Sequence, residues 1–182
     1  MISALVFIIQ AFAHLFLLLL LLRFWLPWFG ADFRNPIAQG ILRLTSPLII
    51  PVRRVIPPVG KLDTATVIVA FGIQYLTILV VLALRQVAAG IAPIAITALI
   101  DLGMLSLRLF IFAIIIRIVL SWVAPHTYNP VTSLVSGISD PLLRPFRRFV
   151  PPLGGLDISP VFALILFGAF AIMLGELRPL PI

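Results

Sequence analysis

The sequence predicts an all-α membrane protein: four transmembrane helices in two parallel helix–loop–helix repeats, with short amphipathic interfacial helices in the cytoplasmic loops. Three observations lead there. Of 182 residues, 62% are hydrophobic and only 10% charged, with a mean hydropathy of +1.24, whereas soluble domains carry roughly a quarter charged residues. Four apolar runs each reach the ~20 helical residues needed to cross a bilayer core. The chain also repeats itself at an offset of 94 positions.

The first span runs from about Ser3 to Trp28 and closes on Arg23, Trp25 and Trp28, residues suited to the membrane interface. It has no basic stretch before its apolar run and is too long for a cleaved signal peptide, so it reads as a retained span. The second covers about Thr64 to Leu84 and ends at Arg85; the third covers about Thr97 to Trp122; the fourth about Ile158 to Leu177. Helices are required because an isolated strand in lipid leaves its amides unpaired. Asp63 before the second span and Asp157 before the fourth are placed to cap them, accepting free N–H groups at the positive end of the helix dipole. The stretch Gln86–Ile96, with Gly90 and Pro93, reads as a membrane dip or a short fifth helix.

Shifted by 94, Arg23 falls on Arg117, Trp28 on Trp122, Asn35-Pro36 on Asn129-Pro130, Arg53-Arg54 on Arg147-Arg148, Pro57-Pro58 on Pro151-Pro152, Gly60 on Gly154 and Asp63 on Asp157. In all, 15 of the 41 positions from Arg23 to Asp63 are identical. The matching residues are Trp, Asn, Pro, Arg and Asp, so low complexity is excluded as the cause. The repeats divide the chain at 1–90 and 91–182. Each holds an even number of spans, so both enter the membrane in the same direction, unlike inverted transporter repeats. The connecting loops, 29–63 and 123–157, hold eight of the thirteen basic residues. The positive-inside rule then places both loops in the cytoplasm and both termini in the periplasm of a bacterial inner membrane.

The doubled pattern Asn-Pro, then Pro-Leu-x-x-Pro-x-Arg-Arg-x-x-Pro-Pro-x-Gly-x-Leu-Asp, resembles the YggT family of bacterial and plastid membrane proteins over essentially the whole chain. The resemblance implies no established catalytic activity. It implies links to cell division, osmotic-stress tolerance, plastid nucleoid distribution and cytochrome assembly. The copies differ where Ser46 and Ile50 in the first stand opposite Asp140 and Arg144 in the second, which marks the first as the less engaged.

Within each loop, Asn35-Pro36 and Asn129-Pro130 read as a helix cap with proline at the first helical position. Ile37, Ile41, Leu44 and Leu48 then recur at helical spacing, with Gln39 and Arg43 turned away, as in a helix lying on the cytoplasmic leaflet. Pro51 and Pro145 are expected to interrupt it. In the second copy Phe146, Phe149 and Val150 are expected in lipid, with Arg147 and Arg148 on phosphates. The candidate partner- or lipid-binding motif is Arg53, Arg54, Pro57, Pro58, Gly60 and Asp63 with Arg147, Arg148, Pro151, Pro152, Gly154 and Asp157. Its arginines either anchor topology or dock a partner, and its aspartates either cap helices, with or without pairing to a loop arginine, or belong to the docking surface.

Charges within spans are costly and mark candidate sites. His14, Arg85, Asp101, Arg108 and Glu176 form an expected intramembrane polar cluster, pairing Arg85 with Asp101 and Arg108 with Glu176 by their heights along the helices. Such a cluster fits snorkelling and helix pairing, a solvated ion or proton path, or a cofactor or lipid site. Paired polar residues at midplane are not evident, although Gln10, Gln74, Tyr75 and Thr77 are available. Cysteine is absent, and no nucleophile–base set, P-loop or metal cluster can be assembled, so neither an enzyme nor a cofactor is expected. The net charge of +7 is interleaved with spans, which points to anionic lipid and not to nucleic acid as the direct contact. The expected function is a non-enzymatic scaffold or assembly factor presenting two basic, proline-rich loops to a lipid, a membrane protein or a second copy. The alternative is a small ion-permeation or osmotic-stress transport protein.

Overall fold

The computed structural model describes residues 1–30, 32–60, 62–123, 129–150 and 157–180. Among them run six helices: α1 (Ile2–Trp28), α2 (Pro36–Val55), α3 (Thr64–Leu84), α4 (Ile91–Val123), α5 (Pro130–Phe149) and α6 (Ser159–Glu176). Four of these, α1, α3, α4 and α6, are long and apolar enough to cross a membrane. Phe7, Phe12, Phe112, Ile165 and Ile172 are each more than half exposed, a surface that is stable against lipid but not against water. The repeat is visible in the elements themselves: α2 and α5 start 94 positions apart (36 and 130) and end 94 apart (55 and 149).

Three boundaries differ from the sequence expectation. Gln86–Ile96 is not a fifth helix. Gln86 turns left-handed (φ +56°) and Val87 N–H bonds back to Leu82 C=O, closing α3. Ile91–Ile96 then forms the first turns of α4. Pro93 is tolerated there because the first helical N–H groups have no intrahelical partner to lose. Second, Pro51 and Pro145 do not interrupt α2 and α5, nor do Pro47 and Pro141. All four prolines are exposed and spaced four apart on one face of their helix. The carbonyls they leave unpaired therefore lie on the outward side, where a solvating group reaches them. Third, the apolar stripe of α2 is split. Ala38, Ile41, Thr45 and Ile49 are buried, while Leu44 and Leu48 are exposed.

The core joins the repeats. Leu17, Leu20 and Leu21 of α1 pack on Ala65 and Ala70 of α3 and on Leu105 and Leu109 of α4, with Ile49 of α2 beneath. Trp25 stacks on Phe29 (centroids 5.7 Å apart) and meets Phe110 edge-on at 5.0 Å. Phe110 in turn touches Phe167 of α6, which touches Phe146 of α5. Phe146 thus faces the protein and not lipid. Among the described residues three polar contacts cross between repeats: Trp25 Nε1–H donates to Ser106 Oγ at 3.2 Å, Asn35 Nδ2 donates to the Pro130 carbonyl at 2.7 Å and Gln74 Nε2 donates to Asp101 Oδ2 at 2.7 Å.

Candidate functional site

The loop helices begin as their sequences direct. Asn35 Oδ1 accepts from Ile37 N–H at 2.8 Å. Asn129 accepts from Thr132 N–H at 2.8 Å and donates its own N–H to Thr132 Oγ1 at 2.9 Å, a reciprocal capping box. Each helix runs to an Arg-Arg pair in its last turn, Arg53-Arg54 and Arg147-Arg148, where cations complement the helix dipole. Beyond α2 the backbone of Val59 pairs with Leu62 in both directions (3.1 and 3.0 Å), and Gly60 takes φ +61°. That hairpin requires a residue at ease in the left-handed region, and it delivers Asp63 to the start of α3. The corresponding Pro151, Pro152 and Gly154 lie outside the described residues, as does Lys61.

In the first repeat three charges converge. Arg23, near the end of α1, is only 5% exposed. Its Nη1 donates to Thr45 Oγ1 (2.8 Å), Ser46 Oγ (3.2 Å) and the Leu42 carbonyl (3.4 Å) of α2. Its Nε lies 3.6 Å from Asp63 Oδ2, a coulombic contact beyond hydrogen-bond range. Arg53 Nη2 hydrogen-bonds the same Asp63 oxygen. Asp63 also accepts from Thr66 Oγ1 at 2.8 Å and Thr66 N–H at 3.4 Å, capping α3. Burial alone would push the Asp63 carboxyl up, but the Thr66 and Arg53 hydrogen bonds and the Arg53 charge hold it below its ordinary value.

The second repeat builds the same clasp with one more charge. Arg117, equivalent to Arg23, donates to Ser136 Oγ at 2.8 Å and pairs with Asp140 at 2.8 Å. Arg147, equivalent to Arg53, lies 3.2 Å from Asp140 and 2.8 Å from Asp157. Asp157 accepts from Ser159 N–H at 3.0 Å at the start of α6. Its carboxyl would rise with burial, but bonding to Ser159 and Arg147 holds it low. The Arg147 guanidinium, disfavoured by its own burial, is held above its usual range by Asp157 and Asp140. The replacement of Ser46 by Asp140 explains the difference: Asp63 serves two arginines, whereas Asp140 and Asp157 share them.

Arg23 and Arg117 are therefore site residues, although the sequence places Arg23 at the interface and marks Arg117 only as its repeat equivalent. Arg53 and Arg147 are committed inward, not to phosphates. Arg54 and Arg148 are exposed and make no ion pair or hydrogen bond among the described residues.

The intramembrane cluster also pairs differently. Asp101 pairs with Arg178, which follows α6, and not with Arg85, which is exposed in the α3–α4 turn. Gln74 Nε2 donates to the other Asp101 oxygen at 2.7 Å. Arg108 and Glu176 are both exposed and no ion pair joins them. His14 lines a small cavity with Gln10, Gln74, Thr77, Asp101 and Arg178. Gln74 stands ten residues from each end of α3, about 15 Å from either. A paired polar group does therefore occur at the midpoint of a span, contrary to the sequence reading. Among the described residues no group of His, Asp and Glu is placed to hold a metal ion.

Several known proteins are similar to this chain. An uncharacterized protein of Pseudomonas aeruginosa is 45% identical over 165 residues, covering 90% of this chain and 84% of that one. The YggT protein of Escherichia coli is 34% identical over 164 residues, covering 90% and 85%. The chloroplastic YlmG homolog protein 2 of Arabidopsis thaliana is 40% identical over 67 residues, covering 35% of this chain and 25% of that one. No solved structure matches. The CCB3/YggT family matches twice in tandem, at residues 2–84 and 96–178, and the chain belongs to that family.

Proposed function

We propose that the chain is a non-enzymatic scaffold of the bacterial inner membrane, presenting α2 and α5 on the cytoplasmic side to anionic lipid headgroups or to a membrane-protein partner. One observation carries this reading. In both repeats the first arginine of Arg-Arg turns inward onto the aspartate that precedes the next span, and the second stays exposed without a partner among the described residues. The clasp fixes the loop helix; the remaining Arg54, Arg148, Arg43 and Arg144, with the outward Leu44, Leu48 and Phe149, make a basic and apolar face of the kind that suits a leaflet surface.

Reporter fusions are expected to place Arg54 and Arg148 in the cytoplasm and the Arg85–Gly90 turn outside. A cytoplasmic reporter in that turn would reverse the orientation and remove the basis for a cytoplasmic platform.

The reading is tested by the double variant Arg54→Glu/Arg148→Glu. It should insert and unfold like the wild type, because neither side chain is paired among the described residues. Photo-crosslinks from Phe149 to lipid or protein should fall at least tenfold. Loss of lipid adducts alone identifies headgroups as the contact, and loss of a protein adduct identifies a partner. Unchanged crosslinking to both would defeat the scaffold reading. A second reading, ion permeation, draws support from the Gln74–Asp101 pair at mid-span. A liposome flux abolished by Asp101→Asn and indifferent to the loop variants would favour it.

A further inference from the structure

The polar cavity within the helix bundle holds two mismatched groups. Asp101 Oδ2 accepts from Gln74 Nε2 at 2.7 Å. A carboxylate that only accepts must face the amide NH2, so the amide orientation is set by chemistry and Oε1 points elsewhere. Gln74 is 3% exposed, and its Oε1 is buried without a donor among the described residues. Arg178 Nη2 takes the other Asp101 oxygen, leaving Arg178 Nε–H buried without an acceptor among the described residues. Thr77 cannot serve Gln74, because its hydroxyl donates to the Ile73 carbonyl at 2.7 Å. Both mismatched side chains line the same cavity of about 50 Å³, well above the roughly 10–15 Å³ that a single water requires.

The occupant must donate one hydrogen bond and accept another, and it must be about the size of water. A metal or alkali cation cannot accept from Nε–H and is repelled by Arg178. A halide cannot donate to Oε1 and is repelled by Asp101. We propose that the cavity is a hydration site inside the membrane-spanning bundle, in which one water accepts from Arg178 Nε–H, donates to Gln74 Oε1 and joins His14 to the Asp101–Arg178 pair. The second hydrogen and lone pair of that water meet Thr77 Oγ1 and the His14 imidazole, which line the same space, completing the two to four polar partners that a buried water needs. The site lies between the repeats and has no second copy, since Gln74 stands opposite Gly168 and His14 opposite Arg108 at the 94-residue offset.

The test uses the full chain in lipid nanodiscs, with arginine side chains labelled for proton–nitrogen NMR. The Arg178 Nε–H signal is identified by its loss in Arg178→Lys. It should show a cross-relaxation peak to water of long residence, and that peak should disappear in Gln74→Met, which fills the space and removes the acceptor. Once assigned, an Arg178 Nε–H signal without a water peak in the wild-type protein overturns the proposal whatever the Gln74→Met variant does. A shift of that signal when chloride is exchanged for gluconate, or sodium for potassium, places an ion in the cavity and overturns it equally.

Discussion

Asp63→Ala is expected to destabilise the folded chain by about 3–5 kcal/mol, the cost of leaving a buried partner charge uncompensated. The guanidinium left behind is that of Arg23, 5% exposed and otherwise held only by the neutral groups of Thr45, Ser46 and Leu42. The Thr66 cap on α3 is lost in the same change. Asp157→Ala in the second repeat should cost only about 1–2 kcal/mol: roughly 1 for its bonds at the start of α6 and up to about 1 for a solvent-screened pair. Its side chain is 40% exposed, and Arg117 and Arg147 keep Asp140. Steric-trapping measurements in detergent micelles would compare the two, and equal losses would show that the clasps are equivalent and Arg23 is not dependent on Asp63. The same residue sets an acid limit. Its folded carboxyl lies below the ordinary value of 3.8, so its contribution is complete above that value and is lost as pH falls through the folded one. Loosening of the wild type should accordingly begin only below about pH 4, and Asp63→Asn should keep only the smaller part of that step, the part that Asp157 supplies.

The spans were legible because nothing but lipid accounts for runs such as Leu15–Leu22, and the repeat because it is carried by uncommon residues. The clasp was half legible. Arg23, Arg53 and Asp63 all recur 94 positions on, as Arg117, Arg147 and Asp157, and three charges recurring together is the signal of a shared contact. Arg23 was assigned to the interface because Trp25 and Trp28 stand beside it, and its partner is 40 residues away across an intervening helix. The prolines of α2 and α5 misled for a different reason: a lost N–H breaks a helix where the freed carbonyl is buried, and spacing of four kept them all outward. Heights along helices cannot say which side chains face one another, so Arg85 was matched to Asp101 although Gln74 holds the α3 side of that carboxylate. The true partner, Arg178, sits past the last helix, in a segment whose conformation no periodicity foretells; Leu180 anchors it against Ile78, Leu82, Ile94 and Ala98.

That anchored segment makes the Asp101–Arg178 pair the other place where one side chain governs stability. Arg178→Ala should cost about 3–5 kcal/mol, because Asp101, with 9% of its side chain exposed, would keep Gln74 but lose its only counter-charge among the described residues. Asp101→Asn should cost a comparable amount by leaving Arg178, with 26% of its side chain exposed, without its carboxylate. The double variant Asp101→Asn/Arg178→Gln removes both charges at once and should fall short of the sum by about 1–3 kcal/mol, the coupling typical of groups in direct contact. Arg85→Ala should change stability by no more than about 0.5 kcal/mol, as expected of an exposed side chain with no partner among the described residues. Arg108→Ala and Glu176→Ala should add to within about 0.5 kcal/mol, because both are exposed and unpaired among the described residues. Double-mutant cycles by steric trapping separate the two patterns: additivity at Asp101 and Arg178, with coupling at Arg108 and Glu176, would restore the pairing read from the sequence and remove the one shown by the structure.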